Sequence, residues 1–276
     1  MTVHQSVWNG HINVKVVYKD SAFLLYVHRN SYFPLHYPLI AKFFSALAPT
    51  DLTSTPLWLE HEDVPIKWNL PVGVLYDLLY LPANKHKRHQ WTLYLKFDTP
   101  SLLYPSNDII PFSITSKSID YVSMLSQVIV NQLKQSTFVM NGNARAMMSL
   151  SEDDSRTLWK AIADHDYGSF HAVAKKLHSR GQQIQRIPVK LYIAGTSTMI
   201  QAPISPGTSE NPTTMNDLLH KWAPSIFDNS SALTSTPIIH GVDALAIADE
   251  PLLKIWSTFR HLDNFLYVVV TIQPQS

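Results

Sequence analysis

The order of elements that the chain spells out twice is the feature that most constrains its fold. From Ile12 to Tyr18, "INVKVVY" alternates apolar and polar residues before running apolar, and "AFLLYVH" follows after Lys19-Asp20. Two strands joined by a tight turn satisfy that pattern. "YPLIAKFFSAL" then places Leu39, Phe43, Phe44 and Leu47 at helical spacing. "PLWLEHEDVPIKW" reads as strand, "PVGVLYDLLYL" as a short helix and "WTLYLKFD" as strand. From Ile187 the same order returns. "IPVKLYI" and "STMIQAPI" read as strands, "TMNDLLHKWAPSIF" as helix, "TPIIHGVDALAI" as strand, "EPLLKIWSTF" as a short helix and "NFLYVVVTI" as strand.

A hairpin, a helix across one sheet face and a last strand returning beside the first make a β-grasp, or ubiquitin-like, arrangement that can form its own core. The expected class is therefore α+β, with two ubiquitin-like (β-grasp) domains flanking a small helix-rich domain. In the middle, "SIDYVSMLSQVIVNQL" carries Val122, Leu125, Ile129 and Leu133 at helical spacing. "SEDDSRTLWKAIA" opens with an N-cap pattern, Ser151 to Asp154, and continues with Leu158 and Ile162. "SFHAVAKKLHSRG" holds Phe170, Val173, Ala174 and Leu177 on one face and reaches Gly181, a residue suited to end a helix. With "DTPSLLYPSNDIIPF" and "GQQIQ" as linkers, the expected domains span 1–105, 115–182 and 185–276. The apolar segment Pro65 to Tyr80 is expected to be core and packing surface, strand-like to Trp68 and helical from Pro71.

Composition narrows the function. Apolar residues make up 45% of the 276, enough for folded cores, while charged residues are only 16% against the usual quarter, which leaves apolar surface for partners. Lysine and arginine number 22 against 21 acids, a balance that offers no field for nucleic acid. Cysteine is absent, which excludes disulfides, thiolate metal sites and any thioester on this chain. The first residues lack the signal-peptide pattern and no run of about 18 apolar residues occurs, so the cytosol is the expected address.

No catalytic signature stands out. His165 and His171 flank Asp166, and "KHKRH" occupies 85–89, but neither has metal-ligand spacing. A structural role and a solvated loop, with anionic-lipid contact as the sharper alternative, are the respective expectations. No metal and no cofactor are expected. A nucleophile elbow is missing, and "NGNAR" and "GTS" are too poor in glycine to cradle phosphate. Trp68, Trp159 and Trp256 read as core residues, and His240-Gly241 as strand-end geometry.

Six segments, in order, carry a resemblance: "VWNGHINVKV" near the start, "RNSYFPL" at 29–35, "PIKWNLPVGVLYDLL" at 65–79, "IPVKLY" at 187–192, "IIHGV" at 238–242 and "DNFLYVVVTIQPQ" at the end. Together they resemble the autophagy-related protein 5 family across nearly the whole chain. The resemblance implies a non-catalytic subunit of an E3-like complex. Its members accept the ubiquitin-like autophagy-related protein 12 through an isopeptide bond to one lysine and bind the coiled-coil autophagy-related protein 16. The conjugate stimulates the conjugating enzyme autophagy-related protein 3 to transfer a second ubiquitin-like protein to phosphatidylethanolamine. The implied place is the cytoplasm and, peripherally, the preautophagosomal membrane. The family's acceptor lies some two dozen residues before a Leu-Trp pair; "NQLKQS" before Leu158-Trp159 makes Lys134 the expected acceptor. Residues of the coiled-coil partner's groove are not assigned by the resemblance. Two facts of the sequence agree with it: without cysteine the chain can accept but not carry a thioester, and its end, "TIQPQS", lacks the glycine of a modifier. An unmodified β-grasp adaptor is the alternative, and a hydrolase pairing a histidine with an acid is a further one.

Overall fold

The computed structural model describes residues 2–84, 90–114, 118–177, 183–227 and 233–274. After a short helix α1 (Val3–Trp8), the chain forms β1 (His11–Tyr18), β2 (Ser21–His28), α2 (Tyr37–Phe44), β3 (Leu57–His61), β4 (Val64–Pro65), α3 (Val72–Leu75), α4 (Leu81–Asn84) and β5 (Trp91–Phe97). Between α3 and α4, Tyr76–Tyr80 forms a π-helical turn. Four helices follow: α5 (Tyr121–Asn141), α6 (Arg145–Met148), α7 (Glu152–Ala163) and α8 (Tyr167–Ala174). The last part holds β6 (Ile187–Ile193), β7 (Met199–Ile204), α9 (Met215–Trp222), α10 (Pro224–Phe227), β8 (Leu233–Ile239), β9 (Val242–Asp243), α11 (Leu252–Phe259) and β10 (Leu266–Pro274).

Two five-stranded sheets share one topology, β2-β1-β5-β3-β4 and β7-β6-β10-β8-β9. In each, the hairpin's first strand pairs in parallel with the last strand: Val16 with Leu93 in the first sheet, Val268 with Leu191 in the second. The duplication extends to the turns. Glu62 and Asp63 have φ of 48° and 63°, and His240 and Gly241 have 51° and 80°, at the equivalent step between β3 and β4 and between β8 and β9. Two consecutive left-handed residues are what a two-residue hairpin turn requires. "IIHGVDAL" therefore folds as a hairpin rather than one strand, and the strand expected over residues 56–68 likewise turns back at Glu62.

Two further expectations change. The helix read over residues 214–227 breaks at Ala223 (φ −137°, ψ 56°), because the proline after it disfavours a helical residue before it. In α2 the core takes Tyr37, Ile40, Ala41 and Phe44, while Leu39 and Phe43, and Leu47 in the turn after the helix, stay 51%, 45% and 42% exposed. The helix is apolar on both sides, so periodicity alone did not choose its inner face.

Contacts divide the chain into two compact units. One comprises Asn9–Tyr76 with His86–Ile129; the other comprises Met1–Trp8, Asp77–Lys85 and Val130–Ser276. In the first, β1 alternates buried Ile12, Val14 and Val16 with outward residues, the signature of a sheet covered on one face. The segment from Pro65 is core from Ile66 onward: Ile66, Trp68, Leu70, Val72, Val74 and Leu75 are buried. Only Val64–Pro65 is strand, since the indole of Trp68 donates to the Ile110 carbonyl (2.8 Å) and stacks on Phe112 (4.5 Å) while the chain turns. In the second unit, Met140, Leu191, Leu218, Leu252, Trp256 and Val268 belong to one apolar cluster.

Candidate functional site

The side chain singled out by sequence, Lys134, lies inside α5, a 21-residue helix. Asp120 opens that helix by accepting from the Ser123 N–H (2.9 Å), and Gly142 (φ 73°) closes it, its N–H donating to the Phe138 carbonyl (2.8 Å). A single apolar stripe fixes its rotation: Leu125, Ile129 and Leu133 are at most 2% exposed, as the spacing predicts, and the stripe continues to Met140. Val122 is half-buried, its place taken by Tyr121. The apolar spacing in the sequence predicts this helix as far as Leu133. It runs on to Asn141, and the buried hydroxyls of Ser136 and Thr137 are satisfied within it by donating to the Leu133 carbonyl, at 3.1 and 2.6 Å.

Lys134 follows Leu133 by about 100° around the helix and so faces solvent. It is the only charged residue in α5. Among the described residues no carboxylate lies within ion-pair distance of its ammonium, unlike Lys176, held by Asp154 at 2.8 Å, or Lys254, held by Glu250 at 2.7 Å. One turn on, Phe138 is 59% exposed, an apolar patch beside the amine. Of the lysines weighed beside it, Lys160 and Lys175 are exposed on α7 and directly after α8, and Lys117 lies outside the described residues. The isolation of this one charge in an otherwise uncharged helix is a signal that the sequence itself carries.

The other candidates have structural partners. His165 (φ 56°) and Trp8 are bonded reciprocally: the indole donates to the His165 carbonyl (3.2 Å), His165 Nε2 lies 2.9 Å from the Trp8 carbonyl, and the rings pack at 4.6 Å. Asp166 caps α8, accepting from the Ser169 hydroxyl (2.6 Å) and N–H (3.2 Å), and these bonds lower its carboxyl below the usual range. His171 stacks on Tyr167. Among the described residues no group of three or more His, Asp or Glu is placed to hold a metal ion. "KHKRH" and Gly181 lie outside the described residues. Trp68 and Trp256 are core, and Trp159 is half-buried.

One buried polar network went unforeseen. Asp263, fully buried, accepts from the Tyr267 hydroxyl (2.7 Å) and the Phe265 N–H (3.1 Å), with Lys190 Nζ at 4.0 Å. Burial raises the Asp263 carboxyl and lowers the Lys190 amine, each opposed by the other's charge. Lys190 also lies over the Phe265 ring at 4.1 Å. At 5% exposure it is closed to a macromolecular reagent. The depression lined by Ser205, Thr213, Asp217 and Lys221 has no histidine in its lining, and Asp217 is engaged with Thr214 in a capping box.

Comparison with known proteins assigns the parts. Residues 7–97 match the family model for the UblA domain of autophagy protein ATG5, residues 122–180 its alpha-helical bundle region and residues 186–270 its UblB domain. Autophagy protein 5 of Scheffersomyces stipitis is 47% identical over 97% of this chain and 96% of that one. The Debaryomyces hansenii protein of the same name is 40% identical over 99% and 96%. The crystal structure of Kluyveromyces marxianus Atg5 superposes with a TM-score of 0.78 at 25% identity, covering 98% of this chain and 99% of that one. With two ubiquitin-like domains flanking a helical bundle, as the repeat of element order implied, the chain belongs to the autophagy protein 5 family and has a role in autophagy.

Proposed function

We propose that this protein is the acceptor of a ubiquitin-like modifier and that Lys134 takes it. The observation that carries the reading is the setting of Lys134: exposed, the only charge of a long helix, without a carboxylate partner among the described residues, and next to exposed Phe138. The Lys134 amine, once deprotonated, attacks the thioester carbonyl between the modifier's C-terminal glycine and a conjugating enzyme. A C–N bond forms, the C–S bond breaks, the enzyme's sulfur leaves as thiolate and the amine's second proton passes to solvent or to a base of that enzyme. This chain, lacking cysteine, contributes no thiol to the step. An unpaired exposed amine suits it, since an ion pair would hold the nitrogen protonated and occupied.

In this reading the modifier is autophagy-related protein 12 and the coiled-coil partner autophagy-related protein 16. The conjugate acts E3-like, promoting transfer by autophagy-related protein 3 of a second ubiquitin-like protein onto phosphatidylethanolamine. The protein is cytoplasmic and peripheral on the preautophagosomal membrane, with domains at 1–105, 115–182 and 185–276. The test is reconstitution with modifier, activating enzyme, conjugating enzyme and ATP on a reducing gel. A reductant-resistant shift that disappears in Lys134→Arg supports the acceptor and its site. A shift that persists moves the acceptor to another lysine, and no shift with active enzymes leaves an unmodified adaptor.

A further inference from the structure

The outer edge of the first sheet is open. β2 ends the order β2-β1-β5-β3-β4 and, among the described residues, pairs with β1 alone. Among the described residues, Ser21 to Val27 make no backbone hydrogen bond on the other side; His28 accepts one from the Ser31 N–H. Edge strands are usually blunted by charge, proline, a bulge or shortness, yet "SAFLLYVH" is eight residues long with neither charge nor proline. Its Leu24 and Tyr26 are 61% and 56% exposed.

Beside this edge lies an apolar shelf that is exposed among the described residues. Phe23 of β2 stacks on Phe43 of α2 at 4.6 Å, and Leu39 and Leu47 extend the same exposed face one turn to either side. Lys19 Nζ, from the β1–β2 turn, donates to the Leu47 carbonyl (3.3 Å), which ties the end of the shelf to the hairpin tip. A strand added to β2 would pair its main chain with the open edge and lay alternate side chains on Phe23, Phe43 and Leu39. Basic charges outnumber acidic ones around the edge and shelf. Neither α2 nor β2 has a carboxylate, whereas Lys42 is exposed on α2, Lys19 stands at the tip and Lys15, on the sheet face away from α2, lies across from Leu24; Asp20 is the one acid of the turn.

We propose that the β2 edge and the α2 shelf bind an extended peptide segment of a partner in which bulky apolar residues alternate with, or are flanked by, acidic ones. A second copy of this chain is the poorer occupant, because another "SAFLLYVH" edge brings no acid to the lysines.

The probe is a fluorescein-labelled peptide, Asp-Glu-Val-Ile-Val-Leu-Glu-Asp, titrated into the full chain by anisotropy, with amide hydrogen exchange read across β2. Saturable binding that protects amides between Ser21 and Val27 is expected. Phe43→Glu, Lys42→Glu and a peptide with lysine in place of its acids should each weaken binding by about tenfold or more. Leu39→Glu replaces Phe43→Glu if circular dichroism shows that the latter disturbs folding. No binding, binding without β2 protection, or affinity unchanged by these substitutions overturns the proposal. So does sedimentation showing that a concentration-dependent dimer occupies the edge and is lost in the shelf variant.

Discussion

Gly73 occupies a position that no other residue fills without disturbance. Its N–H donates to the Arg29 carbonyl (2.8 Å) and its carbonyl accepts from Arg29 Nη2 (3.1 Å), so the two backbones are drawn together. A Cβ at this point would lie 2.9 Å from Arg29 Cβ and 3.0 Å from Arg29 O. Gly73→Ala should therefore destabilise the chain by about 1–3 kcal/mol, read as a lower urea midpoint. The sequence showed a glycine inside a short apolar helix but not the strand end that it meets. His36 makes a second residue-level prediction. Burial, aided by the charge of His28, pushes its imidazole from 6.5 down to about 4, and its Nε2 has no hydrogen-bond partner among the described residues. The folded state thus holds the neutral ring. The associated stability is full above pH 6.5 and is lost as pH falls from 6.5 toward 4, at up to about 1.4 kcal/mol per pH unit. Urea titrations across that window should show a shallower acid loss for His36→Gln than for the wild type; identical profiles would count against the buried neutral ring.

Among the elements, caps and the inner faces of α5 and α7 were written in the sequence, whereas the β3–β4 turn and the inner face of α2 were not. The N-cap at Ser151 was legible, and its hydroxyl accepts from the Asp154 N–H at 3.1 Å. Ser151→Ala should cost about 1 kcal/mol, with Ser151→Asp restoring most of it in thermal melts. The β3–β4 turn was not legible, because Glu62-Asp63 is poor left-handed chemistry and the duplicate turn reads His240-Gly241. Replacing Glu62-Asp63 by Asn-Gly should raise stability by about 1 kcal/mol, since left-handed backbone costs an ordinary residue roughly 1–2 kcal/mol. An unchanged melting temperature would mean that the turn is held by its surroundings. In α2, apolar residues at 37, 40, 41 and 44 compete with those at 39 and 43, and the sheet decides which set is inside.

On the scale of the whole molecule, the repeat of order was the strongest signal, because each β-grasp copy must bury one face of a sheet with residues that alternate in sequence. Two sheets of one topology follow from it; the equivalent two-residue turns at Glu62-Asp63 and His240-Gly241 do not, because both fall inside segments that read as single strands. The acceptor was less legible. Exposure of one lysine depends on how α5 is rotated, and that rotation is set by Leu125, Ile129 and Leu133 against the rest of the fold. The most direct measurement is mass-spectrometric mapping of the branch in the purified conjugate after protease digestion. The account predicts the modifier's C-terminal glycine on the side-chain nitrogen of Lys134. A branch on Lys160, Lys175 or any other lysine, with Lys134 unmodified, would contradict it.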